Sequence, residues 1–185
     1  MPPSDPPDPP PKPRKLRNRI LIGLSVLVVL LAGYTAWANL HVYTLTASID
    51  IDAPPDKVWE VLVDRESYPD WNPFLVSSKG GLKEGGTITN LMRGADGTET
   101  EFTPTVLVVE PGKELRWIGK LSPGLLFDGE HSFRLIKRGS GTRLIQSEDF
   151  TGALVPPMQS WLDGDTLPQF KAMNKALKKR AEAGG

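Results

Sequence analysis

The sequence predicts an α+β domain, a curved antiparallel sheet wrapped around one long C-terminal helix, carried behind a single N-terminal transmembrane helix. Three observations predict it. Residues 20–38 form an apolar run without a single charge. From residue 42 to residue 150, segments rich in β-branched and aromatic residues alternate with glycine-bearing turns, the pattern of an antiparallel meander. The chain then closes on a stretch in which Phe170, Met173, Leu177 and Ala181 recur at helical spacing.

Residues 1–19 read as a disordered cytoplasmic tail, proline-rich through Pro13 and basic toward its end. Proline offers no amide donor and favours extended backbone, so a solvated tail is preferred over a specific partner motif. Residues 20–40 read as the anchor. At 1.5 Å per residue the 20–38 run reaches about 28 Å, close to the hydrocarbon thickness of a bilayer. Tyr34 and Trp37 fall near its far end, where amphipathic rings prefer the headgroup region. Lys12, Arg14, Lys15, Arg17 and Arg19 precede the run, and the next cation, Lys57, lies well beyond it. Positive charge stays inside, so the tail is expected in the cytoplasm and the domain outside the cell membrane. Ala36-Trp37-Ala38 is also an A-x-A pattern, and cleavage after Ala38 would instead release a secreted domain. The long tail and the continuation of the run through Gly33 favour the retained anchor.

Residues 42–183 read as one domain. Residues 42–51 form a strand, stopped by Ala53-Pro54-Pro55-Asp56. Residues 56–64 form a short helix burying Val58, Trp59, Val61 and Leu62, and a second short helix or turn covers 67–74 between Pro69 and Pro73. Six more strand segments follow at 75–79, 87–93, 99–109, 115–121, 126–137 and 143–150. In the closing helix Lys171, Lys175, Lys178 and Lys179 occupy the side opposite the apolar stripe. Pro168 demands either a helix start near Asp165 or a kink.

Composition excludes several functions. With 22 basic and 22 acidic side chains the net charge is zero, and no global field recruits nucleic acid. Without cysteine there is no disulfide, thiolate metal site or thiol catalysis. His41 and His131 are far apart and outside any HExxH pattern, so no metal site is expected. No phosphate loop, GxSxG elbow or dinucleotide fingerprint occurs, and no cofactor is expected.

The order of elements, with Ile49-Asp50-Ile51-Asp52-Ala53-Pro54-Pro55-Asp56-Lys57-Val58-Trp59, Tyr68-Pro69-Asp70-Trp71-Asn72-Pro73-Phe74 and Gly129-Glu130-His131-Ser132-Phe133, resembles the START-like (SRPBCC, helix-grip) superfamily. The likeness is strongest to its polyketide cyclase/dehydrase-like branch, and Glu148-Asp149-Phe150-Thr151-Gly152 fits as well. None of these motifs is a catalytic signature. The resemblance implies a curved sheet gripping the long helix around a cavity for apolar or amphipathic ligands. Physical reasoning points the same way, because one helix is narrower than the concave face of a sheet.

Strand alternation sorts the candidates for the cavity wall. Phe127, Gly129, His131, Phe133 and Leu135 share the inward face of one strand; Leu115, Trp117 and Leu121 share that of another; Leu144, Gln146, Glu148 and Phe150 share that of the last. The candidate ligand-binding residues are therefore Trp117, His131, Phe133, Gln146 and Glu148, with Trp71 added as a rim residue, although its place between two prolines reads first as a lock on that corner. His131, Gln146 and Glu148 have three open roles: a satisfied polar core, contacts to a ligand head, or a general acid/base pair of His131 and Glu148. Met158 and Trp161 read as core. The leading expectation is a membrane-anchored, non-catalytic protein that binds a small hydrophobic ligand, lipid or polyketide-like. The alternatives are a cyclase or dehydratase using His131 and Glu148, and a protein-interaction or stress-response module with a closed interior.

Overall fold

The computed structural model describes residues 14–121 and 124–183. The proline tail and the Pro123 half of one expected turn lie outside the described residues. Helix α1 covers Arg14–Leu40. It starts six residues ahead of the apolar run, so Lys15, Arg17 and Arg19 lie on the helix rather than in a disordered tail. Lysine and arginine are good helix formers, and elongating an existing helix is easy where nucleating one is not. The span is long and apolar enough to cross a membrane. Only its last turns meet the domain. Ala38 is fully buried, and its carbonyl accepts from the Gly152 N–H at 3.4 Å.

Strand β1 (Tyr43–Ile51) leads to α2 (Pro55–Val63), a single 3-10 turn (Arg65–Ser67) and α3 (Tyr68–Trp71). Then come β2 (Leu75–Lys79), β3 (Thr89–Arg93), β4 (Glu99–Phe102), β5 (Thr105–Glu110), β6 (Glu114–Leu121), β7 (Phe127–Arg138) and β8 (Gly141–Thr151). The strands make two antiparallel sheets, one of order β1-β8-β7-β6-β5 and one of order β2-β3-β4, with an isolated bridge between Thr87 and Thr105. The expected strand at 99–109 is divided at Thr103-Pro104, where the chain passes from the small sheet to the large one. Proline has no N–H to continue a ladder, and a corner is where that loss is tolerated.

The chain finishes with α4 (Val155–Trp161), one π turn (Leu162–Thr166) and α5 (Leu167–Ala183). The π turn is the answer to Pro168. The Leu167 N–H reaches back five residues to the Leu162 carbonyl, and the proline follows inside the first turn of α5. Pro168 thus falls in the first turn of a helix that starts near Asp165, one of the two expected outcomes, with a widened turn joining the two helices in place of a break. Phe170, Met173, Leu177 and Ala181 are all buried against the large sheet. At the β1-end of that interface Ile51, Val58, Leu62, Leu135, Leu144 and Leu177 are all buried members of the hydrophobic core. Each such aliphatic side chain contributes about 1.5–3 kcal/mol by leaving water.

Candidate functional site: a cavity between sheet and closing helices

The opposite end of the same interface is hollow. A cavity of about 490 Å³ lies between the inner faces of β6, β7 and β8, the small sheet and the α4–α5 segment. Two glycines stand in its sheet wall. Gly119 on β6 and Gly129 on β7 are register partners and both line the cavity. A Cβ on Gly129 would collide with Glu148 Oε1 and come within 3.4 Å of Phe150 Cε1, whereas one on Gly119 would meet only Phe102 Cδ2, at 3.9 Å. Glycine inside a strand marks a close approach, and here the approaching group is a carboxylate. Phe74, Leu75, Met92 and Phe102 form the wall on the small-sheet side, and Leu162 and Thr166 of the π turn form the roof.

The π turn is held from both flanks. Tyr43 Oη donates to Asp163 Oδ1 at 2.6 Å, and Asp165 Oδ1 accepts from the Ala95 N–H at 3.1 Å. The hydrogen bond to the carboxylate, which favours the protonated phenol, raises the Tyr43 pKa above its ordinary value.

Cross-strand register assembles the polar end of the cavity. His131 faces Trp117 on one side and Glu148 on the other, and Gln146 stands one inward position along β8. The His131 ring is stacked on Trp117, with centroids 4.9 Å apart and planes within 4°, and meets Phe170 edge-on at 4.9 Å. Its Nδ1–H donates to Glu148 Oε2 at 3.0 Å, since an ionised carboxylate can only accept. Its Nε2 accepts from the Gln146 side-chain amide at 3.1 Å. Both ring nitrogens are thus engaged by protein, and what the imidazole turns to the cavity is ring carbon. Glu148 is the more open partner, its side chain 17% exposed against 4% for His131.

Of the six residues singled out from sequence, Trp117, His131 and Glu148 stand on the cavity wall. Phe133 and Gln146 are fully buried behind it, where they back the histidine. Trp71 does not reach the cavity. Its indole N–H donates to Ser67 Oγ at 3.1 Å and its ring packs edge-on against Tyr68, so it locks the α3 corner. Met158 and Trp161, read from sequence as core, are cavity-lining residues at the mouth, and Trp161 is 48% exposed. Leu121 shares the inward face as expected and lines the cavity, yet it is half exposed. The glycine pair escaped the sequence reading; a strand-interior glycine on an inward face was its one available signal. Among the described residues no group of three or more histidine, aspartate or glutamate side chains is arranged to hold a metal ion.

Similar folds occur in proteins of known structure. The Zhui aromatase/cyclase from a Streptomyces species superposes with a TM-score of 0.64 at 20% identity, covering 78% of this chain and 99% of its own. The protein TTHA0849 from Thermus thermophilus gives 0.62 at 17%, covering 77% and 99%. Ara h 8.0201 gives 0.53 at 13%, covering 77% and 99%. At these identities the likeness is one of fold. Curated proteins supply no match to the sequence. The family model described as polyketide cyclase / dehydrase and lipid transport matches residues 43–182, the domain that follows α1, and the chain belongs to that family.

Proposed function

We propose that this protein binds a small hydrophobic ligand in the cavity and does so as a membrane-anchored domain on the outer side of the membrane. The observation that carries the reading is the cavity itself: about 490 Å³, walled by aromatic and aliphatic side chains, with His131 and Glu148 as one polar cluster at its inner end. That combination of apolar volume and a few convergent polar groups is what ligand pockets share. Glu148 as a carboxylate favours a head group that donates a hydrogen bond, a hydroxyl or an amine, over another carboxylate. Trp117, His131 and Glu148 are the residues in contact with the ligand; Phe133 and Gln146 hold the histidine.

Retention of the anchor is supported by Ala38, which is fully buried and hydrogen-bonded to the domain at the position where a signal peptidase would have to cut. The five cations ahead of the apolar run support an external domain. Against an acid/base role for His131 stands the engagement of both its nitrogens. Against a closed interaction module stands the cavity.

The test is native mass spectrometry of the full chain released from detergent, followed by displacement with long-chain alcohols, amines and fatty acids. Co-purified lipophile and tighter binding of the alcohol or amine support the reading. An empty protein that binds none of the panel ends it. Turnover of a polyketide-like substrate that is lost in Glu148→Gln with the fold intact would favour the cyclase or dehydratase alternative.

A further inference from the structure

The mouth of the cavity and the end of the anchor are one place. Two loops form the rim, the one between β6 and β7 and the one between β8 and α4. Their described residues are stitched together by Ala153 N–H to the Leu125 carbonyl at 3.0 Å and Leu154 N–H to the Leu126 carbonyl at 2.9 Å. Both are also fastened to α1. Tyr34 Oη donates to the Ala153 carbonyl at 2.8 Å, and Asn39 Nδ2 donates to the Leu125 carbonyl at 3.1 Å. Tyr34 lies six residues before the end of α1, about 9 Å down the helix axis. The rim is therefore drawn level with Tyr34 and Trp37, the rings that mark the headgroup region.

That rim is apolar and uncovered. Leu121, Leu125, Leu126, Leu154 and Trp161 are between 36% and 53% exposed, and Leu121, Leu154 and Trp161 also line the cavity. A contiguous patch of this kind is uncommon on a surface that faces only water. Lys120 lines the same mouth and is long enough to reach lipid phosphates while its stem stays in the apolar layer.

We propose that the rim inserts into the outer leaflet of the membrane that α1 spans, so that the cavity opens into the bilayer and takes its ligand from lipid rather than from solution. The inference rests on the ligand-binding reading above for its purpose, but the docking geometry stands on the rim and the anchor alone. The hairpin between β7 and β8 points the other way: Lys137 is ten residues along β7 from Phe127, about 34 Å.

The chain has no cysteine, so single cysteines report cleanly. Full-length Leu125→Cys and Lys137→Cys are labelled with bimane and reconstituted into phosphatidylcholine/phosphatidylglycerol vesicles doped with a lipid carrying a nitroxide high on its acyl chain. Quenching at 125 and none at 137 is the expected result; equal, weak quenching at both overturns the docking. In a second arm a pyrene-labelled long-chain alcohol is loaded either from vesicles or from detergent micelles. The pair Leu125→Asp and Leu126→Asp, which lie outside the cavity wall, should slow loading from vesicles by about tenfold and leave affinity in micelles unchanged. Equal vesicle rates for variant and parent overturn the loading route. If the alcohol fails to bind even in micelles, the ligand reading falls, and the quenching arm still decides the docking.

Discussion

The two ends of the interface between the large sheet and the closing helices share strands β7 and β8 and behave oppositely. At the β1-side end, Ile51, Val58, Leu62, Leu135, Leu144 and Leu177 are all buried in the core, and none of them lines the cavity. At the mouth end, Gly119 and Gly129 contribute no side chains, the helix widens into a π turn, and about 490 Å³ stays open. The difference teaches that the hollow is a property of a few positions on a scaffold that packs normally elsewhere. Substitutions should therefore separate stability from binding according to the end they touch.

The largest effect is expected at the solid end. Leu177→Ala removes a fully buried side chain and leaves a void among rigid neighbours, at a cost of about 3 kcal/mol. Denaturation of the full chain in detergent should show that loss, while the ligand affinity of the folded fraction stays unchanged. A parallel loss of affinity would mean the two ends are not independent.

Gly129→Val attacks the hollow end from its floor. The new side chain must displace the Glu148 carboxylate, and overpacking of this kind costs about 1–3 kcal/mol. Here affinity should fall together with stability, and the His131–Glu148 hydrogen bond should be lost. That last point is checked by the imidazole proton resonance in the parent and its absence in the variant.

Tyr68 tests the solid side by pH. It is buried, donates its hydroxyl to the Leu62 carbonyl at 2.7 Å, and burial pushes its pKa well above the ordinary tyrosine range. The folded state therefore holds this proton when the unfolded state has released it. The contribution is complete below the unfolded value, about pH 10, and declines by up to about 1.4 kcal/mol per pH unit as pH rises toward the folded value. Tyr68→Phe should cost about 1 kcal/mol near neutrality by leaving the Leu62 carbonyl unpaired. It should also flatten the alkaline decline in melting temperature; a decline as steep as in the parent would remove Tyr68 as its source.

How legible each end was in the sequence follows from the range of the interactions that build it. The apolar run of residues 20–38 and the helical spacing of Phe170, Met173, Leu177 and Ala181 are each signals contained within one segment, and strand alternation alone put His131, Gln146 and Glu148 on the inner face. The glycine pair was invisible as a pair, because Gly119 and Gly129 meet only once the β6–β7 register is set. Trp71 illustrates the opposite case. Between two prolines it reads as a lock on that corner or as a rim residue, and Ser67, one helical turn earlier, occupies its indole N–H locally and makes it the lock. The division of residues 99–109 was carried by Pro104 itself, though whether a proline ends a strand or merely sits at an edge depends on the neighbouring strand.

Trp161 gives the smallest expected change in stability and the finest test of the contrast. Sequence placed it in the core, where its loss would cost about 3–5 kcal/mol. At the mouth, about half exposed, it lies on no core contact that the domain needs. Trp161→Ala should therefore alter the unfolding free energy by only about 0.5 kcal/mol. Its effect should appear instead in ligand exchange, with faster release of a bound fluorescent alcohol because the ring no longer covers the opening. A several-kcal/mol loss of stability would show that the ring seals the interior, and the open end of the domain would have to be redrawn without a mouth at Trp161.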